Sequence, residues 1–221
     1  MSDYFLPPGG GYRKLKAYQI AEAICDLTSL FVKKYVPRNS RTCDQMEQAA
    51  RSGKQNIAEG SVASPTSKET EIKLTNVAKA SLEELVLDYE DYLRQHSLAK
   101  WEAEHPRIQA LRAYLKSERF LANPIKYANR YSAEEFCNAM ITLISQCIYL
   151  LRRLIAKQQE QFINEGGIKE KMYKVRTEHR AHPKKQSPFT DPKQTHNGPF
   201  RRIPLTSVSG PKGLKGPLWV C

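Results

Sequence analysis

Four stretches of the chain repeat apolar residues at intervals of three and four, and this pattern constrains the fold most strongly. They cover residues 12–36, 40–60, 67–95 and 132–165. Because an α-helix has about 3.6 residues per turn, this spacing gives each stretch one apolar face that another element must cover. The sequence therefore predicts an all-α fold, an antiparallel up-down-up-down four-helix bundle with short early connections.

Local signals predict where these helices begin and end. Gly60 is expected to be the C-cap of the second helix, because glycine readily adopts the left-handed conformation found there. Thr66 and Glu69 have the spacing of a capping box for the third helix, and Ser132 and Glu135 have it for the fourth. The fourth helix is expected to end at about residue 164, before a Gly-Gly pair.

The second and fourth helices differ in the size of their apolar residues. The centre of the second helix is small, with Ala49, Ala50 and Gly53 on its stripe, which lets a neighbouring backbone approach closely. The fourth helix is the most apolar, and its apolar residues cover more than half of its circumference. We expect it to touch a further neighbour, which is either the segment before it or another subunit.

The remaining segments surround this predicted core. Residues 1–11 read as a flexible leader, 96–131 as a helical insertion anchored by Trp101, and 166–180 as a possible extra amphipathic helix. The expected contacts of that extra helix are Met172, Tyr173 and Val175. Residues 181–221 form a basic, Pro-rich tail that we expect to be disordered.

The chain is basic, with a net charge of +12. Residues 169–221 hold 12 Lys/Arg and 3 Asp/Glu, so most of the excess lies beyond the predicted bundle. Such a balance favours polyanionic partners, with nucleic acid first and an anionic membrane second. The alternative is a tail whose charge only keeps it solvated.

The sequence predicts a cytoplasmic protein. No stretch approaches the roughly 20 uninterrupted apolar residues that a transmembrane helix needs, and no secretory signal is expected. The five cysteines are scattered and form no C-x-x-C pair. We interpret them as free thiols in a reducing compartment, with Cys137 and Cys147 in the core.

Two stretches resemble the bacterial 23S rRNA intervening-sequence proteins. Residues 12–21 are similar to that family's opening, a basic residue followed by Leu-x-x-Tyr/Trp-Gln-x-Ala, and 49–60 are similar to its signature, which ends in Asn-Ile-Ala-Glu-Gly. The resemblance spans about residues 12–95, while 132–165 matches by pattern only. The longer chain looks like the branch named for a four-helix-bundle suffix domain.

The resemblance implies a four-helix bundle that assembles as a ring-like homopentamer. It also implies kinship with the accessory proteins of diversity-generating retroelements, which are basic bundles that bind nucleic acid and a reverse transcriptase. Two positions depart from the family, whose paired arginines before Ala-Ala are replaced here by Glu47 and Gln48. Any nucleic-acid contact that those arginines make in relatives is therefore absent or moved in this chain.

Basic residues on or near the predicted bundle are the candidates for binding nucleic acid, because each phosphate that they neutralise adds affinity. They are Lys14, Lys16, Lys33, Lys34, Arg38, Arg41, Arg51, Lys54, Arg152 and Arg153. The four basic residues between 33 and 41 are expected to cluster at one end of the bundle. In a ring-like oligomer they would repeat around its rim. The alternative is an ordinary solvated surface.

The family motif is Asn56, Ile57, Ala58, Glu59 and Gly60. In one interpretation Asn56 and Glu59 contact a ligand or partner. In the other, which we favour, Asn56 makes an interhelical hydrogen bond, Glu59 pairs with a neighbouring helix end and Gly60 is a cap.

The sequence carries no recognisable active-site motif. The sequence has no H-E-x-x-H, no G-x-S-x-G and no Walker lysine loop, and all five histidines fall outside the four predicted helices. We therefore predict no enzyme, no cofactor and no metal site. The two functional hypotheses are a nucleic-acid-binding accessory of a reverse transcriptase and a structural or scaffolding oligomer.

Overall fold

The computed structural model of the chain describes residues 10–115 and 117–181, and of Tyr127 it describes the backbone only. Every regular element within these residues is a helix, and no strand occurs among them. The prediction of an all-α chain is therefore confirmed for this part. The predictions for residues 1–9 of the leader and 182–221 of the tail lie outside the described residues.

A short 3-10 helix, Gly11–Lys14, precedes the α-helices, so Gly11 is not part of a flexible leader. The α-helices are α1 (Lys16–Tyr35), α2 (Arg41–Ala63), α3 (Lys68–Gln95), α4 (Pro106–Leu115), α5 (Glu118–Ala122), α6 (Ile125–Ala128), α7 (Ala133–Glu165) and α8 (Ile168–Ala181). The long helices α1, α2, α3 and α7 coincide closely with the four predicted ones. The insertion contributes α4 to α6.

The predicted C-cap at Gly60 is wrong, because α2 continues for another three residues to Ala63. Gly60 is buried, and a Cβ added to it would lie 3.3 Å from the backbone oxygen of Glu71 and 3.4 Å from the Cβ of Leu74. The absence of a side chain at Gly60 therefore allows α3 to pack closely against α2.

The predicted capping box of Thr66 and Glu69 is also wrong. The N-cap of α3 is the next residue, Ser67, whose Oγ accepts a hydrogen bond from the backbone N–H of Thr70. Thr66 belongs to the end of α2 instead, because its hydroxyl donates to the backbone oxygen of Ala63 at 3.0 Å.

The predictions for α7 are confirmed. Ser132 and Glu135 form a complete capping box, in which the Ser132 Oγ accepts from the Glu135 N–H and the Glu135 carboxylate accepts from the Ser132 N–H. Gly166 caps the other end with φ +69°, a value that glycine adopts without strain.

Contacts near the helix ends fix the directions of the long helices. The Tyr92 hydroxyl of α3 donates to the backbone oxygen of Tyr35, so α1 and α3 end at the same side. Helix α7 begins there too, because Phe136 lies 5.4 Å from Phe31 of α1 between ring centroids. Further along α7, the Cys147 thiol donates to the backbone oxygen of Ala17, near the start of α1.

An aromatic cluster fills the core where α1 ends. Phe31 is fully buried, and its ring centroid lies 5.0 Å from those of Tyr89 and Tyr92 on α3. The hydroxyl of Tyr89, also fully buried, donates to Thr28 Oγ1 at 3.1 Å, which satisfies a polar group that has no access to water. This cluster fixes α1, α3 and α7 relative to one another.

The insertion is attached to α7 through Trp101, as predicted. Its indole N–H donates to Glu134 at 2.9 Å, and its backbone N–H donates to Asn138 Oδ1 at 2.8 Å. Asn138 is 2% exposed and donates in turn to the backbone oxygen of Ala99 at 2.9 Å. One buried amide therefore pairs with two backbone groups of the insertion.

Helix α8 has no buried residue. The predicted contacts Met172, Tyr173 and Val175 are 47%, 75% and 46% exposed, so their assignment as packing residues is wrong. Ala181, which we assigned to the tail, is the last residue of this helix.

Candidate nucleic-acid interface

The end of α1 and its connection to α2 carry a run of positive charge. Residues 33–41 contain four basic side chains and no acidic one, and all four basic residues are exposed: Lys33, Lys34, Arg38 and Arg41. The connection is held in place because the Cys43 thiol donates to the backbone oxygen of Pro37 at 3.2 Å. These four basic residues, together with Lys126 and Arg130 of the insertion, are called the loop-end surface.

The insertion adds two basic residues that sequence reasoning missed, Lys126 and Arg130. The Lys34 ammonium donates to the backbone oxygens of Asn129 and Tyr131 at 2.9 and 3.1 Å, which brings Arg130 to the loop-end surface. Lys126 belongs to α6, which contacts α1. No local signal in the sequence links residues 126–130 to Lys34, so only the fold could find them.

Lys34 has a structural part in this surface as well as a charge. Its ammonium lies 4.8 Å from the ring centroid of Tyr35, in addition to the two backbone oxygens that it contacts. These partners are uncharged, so the positive charge of Lys34 is retained. The lysine therefore joins the insertion to α1 and still contributes to the local potential.

Several acidic groups near the same end of the molecule are already engaged. Asp91 pairs with Arg94 at 2.9 Å, and Glu135 pairs with Arg107 at 3.1 Å. Glu47 accepts a hydrogen bond from Ser29 at 2.9 Å. Among the described residues no ion pair joins a carboxylate to the basic residues of 33–41, and the nearest acidic residue along the chain is the exposed Asp44, one turn after Arg41 on α2.

Other predicted candidates lie elsewhere. Lys14 and Lys16 are exposed at the start of α1, about 30 Å from its end by the rise of a 20-residue helix. Arg152 pairs with Glu83 of α3 at 3.1 Å, and its neighbour Arg153 is exposed on α7. The fold therefore does not bring these four residues to the loop-end surface.

Arg51 and Lys54 occupy the middle of α2, where Arg51 is exposed and Lys54 is half-buried. Lys54 lies close enough to the thiol of Cys25 to lower its pKa, but burial dominates and raises that pKa to about 11. Asp26 and Glu22 share this neighbourhood and raise the pKa further. The local charge is therefore mixed.

The motif of residues 56–60 is mainly structural. Asn56 Nδ2 donates to the backbone oxygen and the hydroxyl of Ser52 at 2.9 and 3.1 Å, so its bonds lie within α2 rather than between helices. Ser52 provides the bridge, since its hydroxyl lies 2.8 Å from that of Ser81 on α3. Ile57 is 2% exposed and belongs to the core, and Ala58 is partly buried and packs against that core.

Glu59 is the exposed member of the motif. Within residues 10–115 and 117–181 it makes no ion pair, so the predicted pairing with a neighbouring helix end is not seen there.

The described residues contain no group of three His, Cys, Asp or Glu side chains that could hold a metal ion. Cys137 and Cys147 lie in the core as predicted, and burial raises the pKa of each thiol to about 12. Thiols with such pKa values remain protonated at neutral pH and are poor nucleophiles.

One helical stretch, Ala133–Ala181, contains an 18-residue window that is long and apolar enough to cross a membrane, with a mean hydropathy of 1.4. Of this window 44% is buried, and the core helix of a soluble protein has the same properties. The absence of a membrane-spanning segment therefore stays a prediction.

Comparison with protein-family models, with curated proteins and with solved structures finds no match to this chain.

Proposed function

We propose that the chain is an up-down-up-down four-helix bundle with a helical insertion, related to the 23S rRNA intervening-sequence proteins. Two features support the proposal. Ser29 late in α1 bonds to Glu47 early in α2, Gly60 late in α2 lies against Glu71 early in α3, and Gln158 late in α7 bonds to Glu71, so successive long helices run in opposite directions. The residues that resemble the family fall in the 3-10 helix, α1, α2 and α3.

We infer that this bundle binds nucleic acid through the loop-end surface, without enzymatic activity. The observation that carries the proposal is the run of exposed cations at 33–41 next to Arg130, which no described carboxylate pairs with. A polyanion brought to this surface would release counterions as its phosphates are neutralised, which gives affinity with little dependence on sequence.

We further propose that the protein is a cytoplasmic homo-oligomer, a pentamer if the family resemblance holds, and an accessory of a reverse transcriptase. Support for an oligomer comes from large apolar side chains that no described residue covers. Leu87 on α3 and Tyr149 on α7 are 61% and 60% exposed, and they line the same shallow depression. An exposed apolar depression of this kind is one sign of an interaction site, and we propose a second copy of the chain as its partner.

Fluorescence anisotropy with labelled single-stranded and duplex oligonucleotides tests the nucleic-acid proposal. The full chain is expected to bind both, with log Kd rising linearly with log salt. Replacing Lys33, Arg38 and Arg41 by glutamine is expected to weaken binding by about tenfold or more and to lower the salt slope by roughly 2 to 3. Lys34 is left intact because it also holds the insertion.

The matched control replaces Lys14, Arg153 and Lys157, three exposed cations outside the loop-end surface, by glutamine. It changes the net charge by the same amount, so general electrostatics predicts equal losses for the two variants. Equal losses, or no binding by the parent at low salt, would contradict the proposal.

A second candidate is a scaffolding oligomer whose charge has no ligand. Two predicted nucleic-acid residues favour it, because Lys34 holds the insertion and Arg152 pairs with Glu83. Size-exclusion chromatography with light scattering and the 260/280 nm absorbance ratio separate the two functions. An oligomer free of nucleic acid that also fails to bind oligonucleotides supports the scaffold.

A further inference from the structure

A groove of about 750 Å³ lies between the insertion, α7 and the first half of α1. Its floor is the face of α7 that carries Asn138, Thr142, Ser145 and Tyr149, which recur at the three- and four-residue spacing of one helical face. From Asn138 to Leu150 the groove runs along about 18 Å of helix. It is therefore elongated along α7.

The walls of the groove are largely apolar. Ile20 of α1 and Ile108 of α4 are 2% and 5% exposed and contribute to the lining, as do Trp101 and Ile141. A volume of several hundred Å³ with apolar walls and a few polar groups is typical of sites for small organic molecules.

Two cations line the groove at the level of Gln146 and Cys147 on α7. Arg112 lies beside Gln146, because the Nε2 of Gln146 donates to the backbone oxygen of Arg112 at 3.4 Å. Lys16 lies at the same level, because its neighbour Ala17 accepts a hydrogen bond from Cys147. Neither Lys16 nor Arg112 forms an ion pair with another residue of the described chain.

The other end of the groove has a different character. There Lys100 is paired with Glu90 at 2.8 Å, and Trp101 has its indole N–H bonded to Glu134. The groove is therefore polarised, with unpaired positive charge at the Arg112 end and an aromatic ring at the Asn138 end. The Arg112 end also holds the buried Gln146 Oε1, which has no hydrogen-bond partner among the described residues.

We propose that this groove binds a small amphipathic carboxylate with a fatty-acid-like chain. The apolar chain lies along α7 toward Trp101, and the carboxylate lies between Lys16 and Arg112. Desolvated apolar contacts supply most of the affinity, and the two cations select the anion over a neutral analogue. This site is independent of the proposed nucleic-acid surface and assigns Lys16 a different role.

The test uses the full chain with Trp219→Phe, so that Trp101 is the only tryptophan and reports from within the groove. Dodecanoate is titrated below its micelle concentration, and dodecanol is the neutral control. Saturable change of Trp101 emission with dodecanoate is expected, with dodecanol weaker by about tenfold, which corresponds to about 1.4 kcal/mol.

Three variants locate the ligand. Ser145→Phe fills the groove from an exposed position and is expected to abolish binding, with its helical circular dichroism unchanged. Arg112→Gln is expected to weaken dodecanoate about tenfold without affecting dodecanol. Arg153→Gln removes the same charge from α7 outside the groove and is expected to have no effect.

Each contrary result overturns the assignment. No saturable signal means that the groove is not a binding site. Unchanged binding in Ser145→Phe means that the fatty acid binds elsewhere, and equal affinities for dodecanoate and dodecanol mean that Lys16 and Arg112 do not select an anion. Loss of oligonucleotide binding has no bearing on these outcomes, so the two proposals fail separately.

Discussion

The interface between α2 and α3 and the interface between α7 and the insertion are built in opposite ways. In the first, glycines on α2 allow α3 to pack so closely that a side chain at the glycine positions would not fit. A Cβ on Gly53 would lie 2.7 Å from Cδ2 of Leu82. In the second, Asn138 and Glu134 hold the insertion by hydrogen bonds and leave a groove beside it. Close packing between α2 and α3 leaves no space for a ligand. The hydrogen-bonded contact between α7 and the insertion leaves such a space.

The largest effect is expected from filling the close interface. Gly53→Val places branched carbons against the fully buried Leu82, and we expect it to lower the free energy of unfolding by about 3 kcal/mol, the upper range for overpacking. Gln55→Val, at an exposed position of the same helix, is expected to change it by less than about 0.5 kcal/mol. Urea unfolding followed by circular dichroism measures both, and similar values for the two variants would contradict the close packing.

A smaller, more local effect is expected at the hydrogen-bonded interface. Asn138→Ala leaves the backbone N–H of Trp101 and the backbone oxygen of Ala99 without their partner. We expect it to lower the free energy of unfolding by about 2 kcal/mol. Hydrogen exchange should increase in residues 99–115 while α2 and α3 keep their protection. Loss of protection throughout the chain would show instead that the insertion is not a separately held element.

A smaller effect is expected at the N-cap of α7. Ser132→Ala removes the side-chain half of the capping box and is expected to cost about 1 kcal/mol. Thermal unfolding is the measurement, with Ser145→Ala, an exposed serine in the interior of the same helix, as the control. A melting temperature as high as that of the control would contradict the capping role.

The smallest effect concerns pH. Partial burial first, and then the charges of Glu84 and Asp91, raise the pKa of Asp88 on α3 from 3.8 to about 6. The folded state then binds more protons than the unfolded state between about pH 4 and 6, so the group's destabilising effect grows as pH rises through this range. After allowance for solvent screening, Asp88→Asn is expected to gain roughly 0.5 to 1 kcal/mol at pH 7.

The gain of Asp88→Asn should be mostly lost at pH 3.5, where the aspartic acid is protonated in the folded state and largely protonated in the unfolded state. Denaturant unfolding of the variant and the parent at the two pH values provides the comparison. A gain of the same size at both pH values would exclude titration of Asp88 as its cause.

The long helices were predictable because their apolar spacing is sustained over many turns. The capping box of Ser132 and Glu135 and the anchoring role of Trp101 were predictable because each follows from a local signal. Gly60 was misread because a glycine that ends a helix and a glycine that admits a neighbouring helix look alike in sequence. The spacing of Met172 and Val175 fits a buried stripe, but no partner covers it among the described residues.

The candidate site was only partly predictable for a related reason. Residues 33–41 are contiguous, so their clustering follows from the sequence alone. Arg130 joins them through the bonds of Lys34 to the insertion, which no periodicity encodes. The pairing of Arg152 with Glu83 is likewise a long-range contact, and it removes an apparent nucleic-acid candidate.

The most direct test of the central claim is a crosslinking map of the full chain on a photoreactive oligonucleotide, read by mass spectrometry of the peptides. The account predicts crosslinks in residues 33–41 and 126–131, which lose intensity together as salt is raised. Crosslinks confined to residues 182–221, or spread evenly over the exposed cations of α2, α7 and α8, would contradict it.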